Sequence, residues 1–175
     1  MGCDIHGFIE YSNSNDGLFE LFANNVSLNR NYHLFSSLAG VRSTTDSLTL
    51  FPPKGIPDRL SQDGFHSIYV PIYKRKSPAH LATGGHVSAK EAKRLPTISD
   101  KHPSVMFKNS RGYVVDPDSH SHSWLTSQEI RKAIKYSDLF DETVPYDILA
   151  VIVAMETIEQ NLKGSTSRFV FWFDN

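Results

Sequence analysis

Two short segments concentrate side chains capable of acid–base or metal chemistry. Cys3-Asp4-Ile5-His6 opens the chain. Asp116-Pro117-Asp118-Ser119-His120-Ser121-His122-Ser123-Trp124 packs two acids, two imidazoles, three hydroxyls and an indole into nine residues. On a strand, Asp4 and His6 share one face while Cys3 and Ile5 share the other. A carboxylate and an imidazole at that spacing can bind one metal ion, or the carboxylate can fix the tautomer of a catalytic histidine. The alternative is an edge strand with a solvated acid and imidazole. His120 and His122, two residues apart, can also ligate a metal. Asp4, His6, His120 and His122 are therefore the candidate ligands of a divalent ion, whose presence and identity stay open. They can equally act as general acid and base on a phosphodiester, because imidazole titrates near neutral pH. Trp124 offers a face to a nucleobase, with Ser123 beside it as a ligand contact. The alternative here is a polar loop whose Ser and Asp residues satisfy turns. Cys3 reads as a small buried hydrophobe, since no partner that would stabilise a thiolate is visible.

A third group is cationic. Arg30, Asn31 and Tyr32, with Arg42 and Lys54, can form an anion cradle. Arginine matches phosphate bidentately, and Lys54-Gly55 can present an ammonium and a backbone N–H together. Ordinary surface pairing with Asp and Glu is the competing reading. Asp4-Ile5-His6-Gly7 superficially matches the first motif of calcineurin-like metallophosphoesterases. That assignment fails, because only three residues precede it and the later motifs are absent.

Several elements must position these groups. A strand is expected over residues 2–11, then a turn at Ser12–Gly17 and a second strand at Leu18–Phe22, forming a hairpin. Ser27 can cap a helix running to Ala39, with Leu28, Tyr32, Phe35 and Leu38 facing the core and Gly40 as the stop. Residues 43–64 read as a Pro- and Gly-rich loop. A strand around Ile68–Ile72 follows, pushed to an edge by Pro71. Residues 76–104 form a polar insert, with a short helix expected from Ser88 to Arg94 and mobility at Gly84-Gly85. Tyr113–Val115 reads as a strand. Thr126 and Glu129 have capping-box spacing for a helix over Ser127–Tyr136. The strongest helix runs from Pro145 to Lys163, with Ile148, Ile152, Met155 and Leu162 in one stripe and Gly164 as terminator. Phe169, Phe171 and Phe173 alternate in a last, buried strand. Together these predict an α+β fold in one domain, 1–175. An antiparallel sheet would include both terminal strands, with the long C-terminal helix packed on it.

Composition bounds the function. The chain has 175 residues, 39% hydrophobic and 21% charged, as a folded domain requires. A net charge of −1 argues against a long nucleic-acid duplex as partner but leaves room for a small anionic ligand. One cysteine forms no internal disulfide. No apolar run is long enough to span a bilayer. There is no signal-peptide pattern, and His6 stands where N-myristoylation wants Ser or Thr. The expected location is cytoplasmic, with no membrane partner. Oligomeric state is not legible.

The opening Met-Gly-Cys-Asp-Ile-His, Arg30-Asn31-Tyr32, the run Leu34-Phe35 to Leu38-Ala39-Gly40-Val41-Arg42, Lys54-Gly55-Ile56-Pro57, His120-Ser-His122-Ser-Trp124-Leu125 and the closing Val170-Phe-Trp-Phe-Asp-Asn175 together resemble a widespread family of small tailed-phage proteins. The resemblance implies a setting, the cytoplasm of an infected bacterium, and carries no catalytic assignment. Small phage accessory proteins often counter host defence, some by binding or cleaving cyclic nucleotide signals. The leading expectation is a phosphodiesterase-type hydrolase acting on such a nucleotide. His6, His120 and His122 would supply acid–base or metal chemistry, with Asp4 orienting an imidazole or binding metal. Arg30, Asn31, Tyr32, Arg42 and Lys54 would hold the anion, with Ser123 and Trp124 against the base. The alternatives are a non-catalytic sponge for the same ligand and a protein inhibitor of a host enzyme.

Overall fold

A computed structural model describes residues 2–13, 17–43, 49–73, 87–88, 90, 93, 113–136 and 144–174. In chain order the elements are β1 (Asp4–Ser12), β2 (Phe19–Leu28), α1 (Tyr32–Ala39), α2 (Gln62–Ile68), β3 (Tyr69–Tyr73), β4 (Val87–Ser88), β5 (Tyr113–Val115), β6 (Ser119–Leu125), α3 (Ser127–Tyr136), α4 (Tyr146–Asn161) and β7 (Thr166–Asp174). They fall into two compact units, Met1–Ser61 with Ser119–Asn175, and Gln62–Asp118.

The first unit is α+β. Its sheet has the order β2-β1-β7-β6 and is antiparallel throughout, so both terminal strands lie side by side at its centre. Alternation decides the faces. Ile5 and Ile9 of β1, Leu125 of β6, and Phe169, Phe171 and Phe173 of β7 are buried toward the helices. Leu34, Phe35 and Leu38 of α1, Ile130 and Ile134 of α3, and Ile148, Ile152 and Met155 of α4 complete that core. Each such side chain contributes about 1.5–3 kcal/mol on leaving water. Asp4, His6, Phe8 and Glu10 of β1 pair across the opposite face with Asp174, Trp172, Val170 and Arg168 of β7.

The helix ends follow local chemistry. Asn31, not Ser27, caps α1, and its Oδ1 accepts from Leu34 N–H at 2.9 Å. The helix expected from Ser27 therefore starts at Tyr32, because β2 continues through Leu28 and only Asn31 satisfies an orphan donor. Tyr32 is exposed rather than in the core. Gly40 ends α1 as expected, at φ 65°. At α3 the capping box forms in full. Thr126 N–H donates to Glu129 Oε2 at 3.0 Å, and Glu129 N–H to Thr126 Oγ1 at 3.3 Å. Leu162 caps α4 and is exposed instead of joining the buried stripe. The His-Ser-His segment, for which a polar loop is the alternative reading in the sequence, is strand β6, because its backbone pairs with β7.

In the second unit, β3 is central in the order β4-β3-β5, not at an edge. Pro71 is tolerated because β4 pairs only with Ile72 and Tyr73. Gln62–Ile68 is helical where a loop or strand was expected. Phe65 stacks on Tyr69 and meets Tyr113 edge-on. Of the insert at 76–104, only Val87, Ser88, Lys90 and Lys93 are described. Ser88 is in a strand, Lys90 is helical and Lys93 is in a turn, while the other residues of the expected Ser88–Arg94 helix lie outside the described residues, as does Gly84-Gly85.

Candidate functional site

The candidate site lies on the face of the first unit's sheet that carries His6. The strand register places His6 of β1 opposite Ser27 of β2 on one side and Trp172 of β7 on the other. His6 Nε2 lies 2.9 Å from Asp174 Oδ2, and His6 Nδ1 lies 3.4 Å from Ser27 Oγ. A carboxylate, an imidazole and a hydroxyl are thus in line. The carboxylate assigns the tautomer: Nε2 carries the proton, and Nδ1 presents its lone pair to the hydroxyl. Asp174 is itself fixed by Asp4 N–H, which donates to Oδ1 at 3.2 Å. His6 and Asp174 both keep more than a third of their side-chain surface in solvent.

Asp4 has a different partner. Arg30 grips it bidentately, Nε at 2.5 Å and Nη2 at 2.8 Å, and that guanidinium holds the Asp4 carboxyl below the usual carboxylate range. The residue that orients His6 is therefore Asp174, not Asp4.

Trp172 sits between two imidazoles. Its ring centroid is 6.3 Å from that of His6 and 6.3 Å from that of His122. His122 reaches this face because β6 bulges between His120 and Ser123, with Ser121 at φ 51°. The bulge also separates the two histidines that sequence spacing paired. His120 stacks on Phe173 on the helix side, while His122 stacks on Trp172 on the opposite side. Burial, and then the nearby His120, push His122 down to about 4, so it is a neutral imidazole at pH 7. Its Nε2 meets Ser119 Oγ at 3.1 Å.

The cations do not form one cradle. Lys54 pairs with both oxygens of Glu129, at 2.7 and 2.8 Å, and its ammonium lies 4.0 Å from the Trp124 ring centroid. Lys54 N–H also donates to Ser123 Oγ at 3.2 Å, and Gly55 N–H to His122 O at 3.0 Å. Lys54, Ser123 and Trp124 thus join the Pro-rich loop to β6. Arg42 lies over Tyr32 and reaches the Cys3 thiol, which burial holds above its ordinary value. Asn31 is occupied as the α1 cap. Asp116 and Asp118 belong to the second unit, where Asp118 N–H donates to Asp116 Oδ1 at 3.0 Å. Among the described residues no three His, Cys, Asp or Glu side chains converge to hold a metal ion.

Three members of the site were missed in the sequence: Ser27, Trp172 and Asp174. Ser27 reads in the sequence as a helix cap, Trp172 as part of a terminal core strand and Asp174 as the polar end of that strand. The available signal was the pairing of terminal strands, which sets Asp4 and His6 against Asp174 and Trp172. Comparison with protein-family models, curated proteins and solved structures finds no match. No helix among the described residues is long and apolar enough to cross a membrane.

Proposed function

We propose that this chain is a hydrolase that cleaves a phosphodiester in a small nucleotide, with phage counter-defence against a cyclic nucleotide or oligonucleotide immune signal as its setting. The observation that carries the catalytic part is the Asp174–His6 pair at 2.9 Å. A carboxylate on one ring nitrogen fixes the tautomer and leaves the other nitrogen basic, the arrangement a general base needs. His6 Nδ1 takes the proton of the attacking hydroxyl. That hydroxyl is a water held between His6 and Ser27, or Ser27 Oγ itself. Its oxygen bonds to phosphorus as the bond to the leaving oxygen breaks, and the protonated imidazole gives the proton to that leaving oxygen. Where Ser27 attacks, a water activated by the same imidazole then cleaves the phosphoserine. Asp174 stabilises the imidazolium formed between those steps. Trp172 gives a base a flat surface between His6 and His122. Arg30 brings a guanidinium to the rim, where a phosphate competes with Asp4 for it. The choice of a nucleotide substrate rests on that aromatic surface and on the resemblance to small phage proteins.

The test is incubation of the purified protein with a panel of cyclic di- and trinucleotides, with chromatography before and after heat denaturation. New products are expected, with turnover lowered about 10²-fold or more by His6→Ala and by Asp174→Asn while the fold survives. Loss of turnover on chelation assigns the step to a bound metal instead of a free imidazole. Ligand that is depleted but returns intact on heating makes the protein a sponge. No depletion at all removes both readings and leaves a protein inhibitor.

A further inference from the structure

Arg168 of β7 is 7% exposed, yet part of its guanidinium is uncommitted. Nε and Nη2 donate to Glu10 Oε2, and Nη2 also donates to the Arg59 carbonyl. Nη1, with two N–H groups, has no hydrogen-bond partner among the described residues. The Phe19 ring lies against the face of the guanidinium, 3.5 Å from the ring centroid, which leaves those in-plane N–H groups unbonded. Nη1 is not sealed off either. Among the described residues, the buried side-chain atom that lacks both a partner and accessible surface is His120 Nε2. Nη1 therefore keeps accessible surface, and Arg168 lines a cavity of about 410 Å³.

The cavity lies on the sheet face that carries His6, but at its other end. Glu10, which Arg168 grips, is four residues along β1 from His6, a separation of about 13 Å. The charges around the cavity are unequally matched. Lys54 is neutralised by Glu129, and Arg168 by Glu10. Arg59 also lines the cavity, and its side chain has no hydrogen-bond or ion-pair partner among the described residues. Its guanidinium stands on the Phe19 side of the rim, with Nη1 3.2 Å from where a β-carbon on Gly17 would be. One carboxylate, Asp58, shares that rim without pairing to it. Ile56, Pro57 and the Phe19 and Trp124 rings supply apolar walls. N–H donors on a buried floor, one unpaired guanidinium on the rim and apolar walls select a single negative charge on an organic body. A phosphate dianion would meet Asp58 on the rim and the Glu10 and Glu129 carboxylates behind the cations. The volume lies within the range of small-molecule sites.

We propose that this cavity binds a small organic monocarboxylate, its oxygens accepting from Arg168 Nη1 and the Arg59 guanidinium and its body lying against Ile56, Pro57 and Trp124. The site is independent of the hydrolase reading, because none of His6, Ser27, Trp172 and Asp174 lines it. The chain has two tryptophans, and one stands at each site: Trp124 here and Trp172 beside His6.

Indole N–H resonances of the isotope-labelled full chain, assigned with Trp124→Phe and Trp172→Phe, therefore read the two sites separately by NMR. The probes are N-acetylphenylalanine, its uncharged amide, AMP and inorganic phosphate. The carboxylate should shift the Trp124 resonance saturably, with a Kd between about 10 µM and 1 mM, and leave that of Trp172 in place. The amide should bind at least about tenfold more weakly. Arg59 is exposed, so Arg59→Ala keeps the fold, and it should weaken binding about fivefold or more. Asp58→Asn should tighten binding about twofold or more, because it removes a like charge from the rim. His6→Ala should leave binding unchanged. No shift of Trp124 at about 10 mM carboxylate overturns the proposal. So does an amide that binds as tightly as the acid, or binding that is unaltered in Arg59→Ala or lost in His6→Ala. AMP or phosphate binding as tightly as the carboxylate, or weaker binding in Asp58→Asn, overturns the monocarboxylate class.

Discussion

His6 and His122 flank the same indole yet differ in what holds them. His6 has a carboxylate on one nitrogen and a hydroxyl near the other, whereas His122 has only Ser119 and a buried setting. The first is the general base of the proposed hydrolysis. The second, held at about 4 by burial and by His120, stays neutral and shapes the surface beside Trp172. This has a consequence for stability. An unfolded imidazole titrates near about 6.5, so as pH falls the unfolded chain binds the proton before the folded one does. The His122 contribution is intact above that value, declines below it, and is fully lost near pH 4. The loss amounts to about 3 kcal/mol at most. Carboxylates titrate over the lower part of the same interval, so the comparison is with His122→Gln, which keeps a polar side chain next to Ser119. Urea unfolding of both proteins between pH 7 and 4 should show the difference in stability shrinking toward the acid end. Parallel curves would mean that His122 takes up its proton equally well folded and unfolded.

At the scale of elements, the site depends on how closely β1 and β7 approach. Gly7, between His6 and Phe8, pairs with Phe171, and a β-carbon there would collide with the Val170 carbonyl and the Phe169 ring. Gly7→Ala must push the two central strands apart or displace a buried phenyl ring. It should cost about 1–3 kcal/mol and disturb the His6–Asp174 distance. Thermal melting measures the first effect, and the His6 imidazole NMR resonances the second; an unchanged melting temperature would refute the tight fit. Much of this architecture was legible locally. The alternating phenylalanines of β7, the Thr126–Glu129 box and the buried stripe of α4 act within a few residues, where periodicity and capping operate. The site was less legible, because its key contact spans 168 positions of sequence. Asp4 looked like the partner of His6 because it is a near neighbour, whereas Arg30 takes it. Strand β6 was hidden for another reason. Its Ser-His alternation lacks the apolar signature of a strand and is held by pairing with β7. The bulge that sends His120 and His122 to opposite faces leaves no local trace in residue type.

At the scale of the first unit, a buried ion pair ties the beginning, middle and end of the chain together. Glu10 of β1 is fully buried, and Arg168 of β7 nearly so. Arg168 Nη2 and Nε donate to Glu10 Oε2 at 2.8 and 3.0 Å. The other Glu10 oxygen accepts from Ser61 N–H at 2.6 Å, and Arg168 also donates to the Arg59 carbonyl. The guanidinium lies 3.5 Å from the Phe19 ring centroid. The pair therefore anchors the Pro-rich segment after Lys54 to the sheet. A buried pair gains little net energy when complete, because desolvation offsets attraction. Breaking it is another matter, since the surviving charge has neither water nor counterion. Glu10→Ala should destabilise the fold by about 3–5 kcal/mol. The double substitution Glu10→Leu with Arg168→Met removes both charges in similar volume, and it should recover most of that loss. Urea unfolding of the wild type, the single variant and the double variant decides between the two roles for this pair. Recovery in the double variant identifies the stranded charge as the source of the loss. A double variant no more stable than Glu10→Ala would assign it instead to the hydrogen bonds that hold residues 59 to 61 on the sheet.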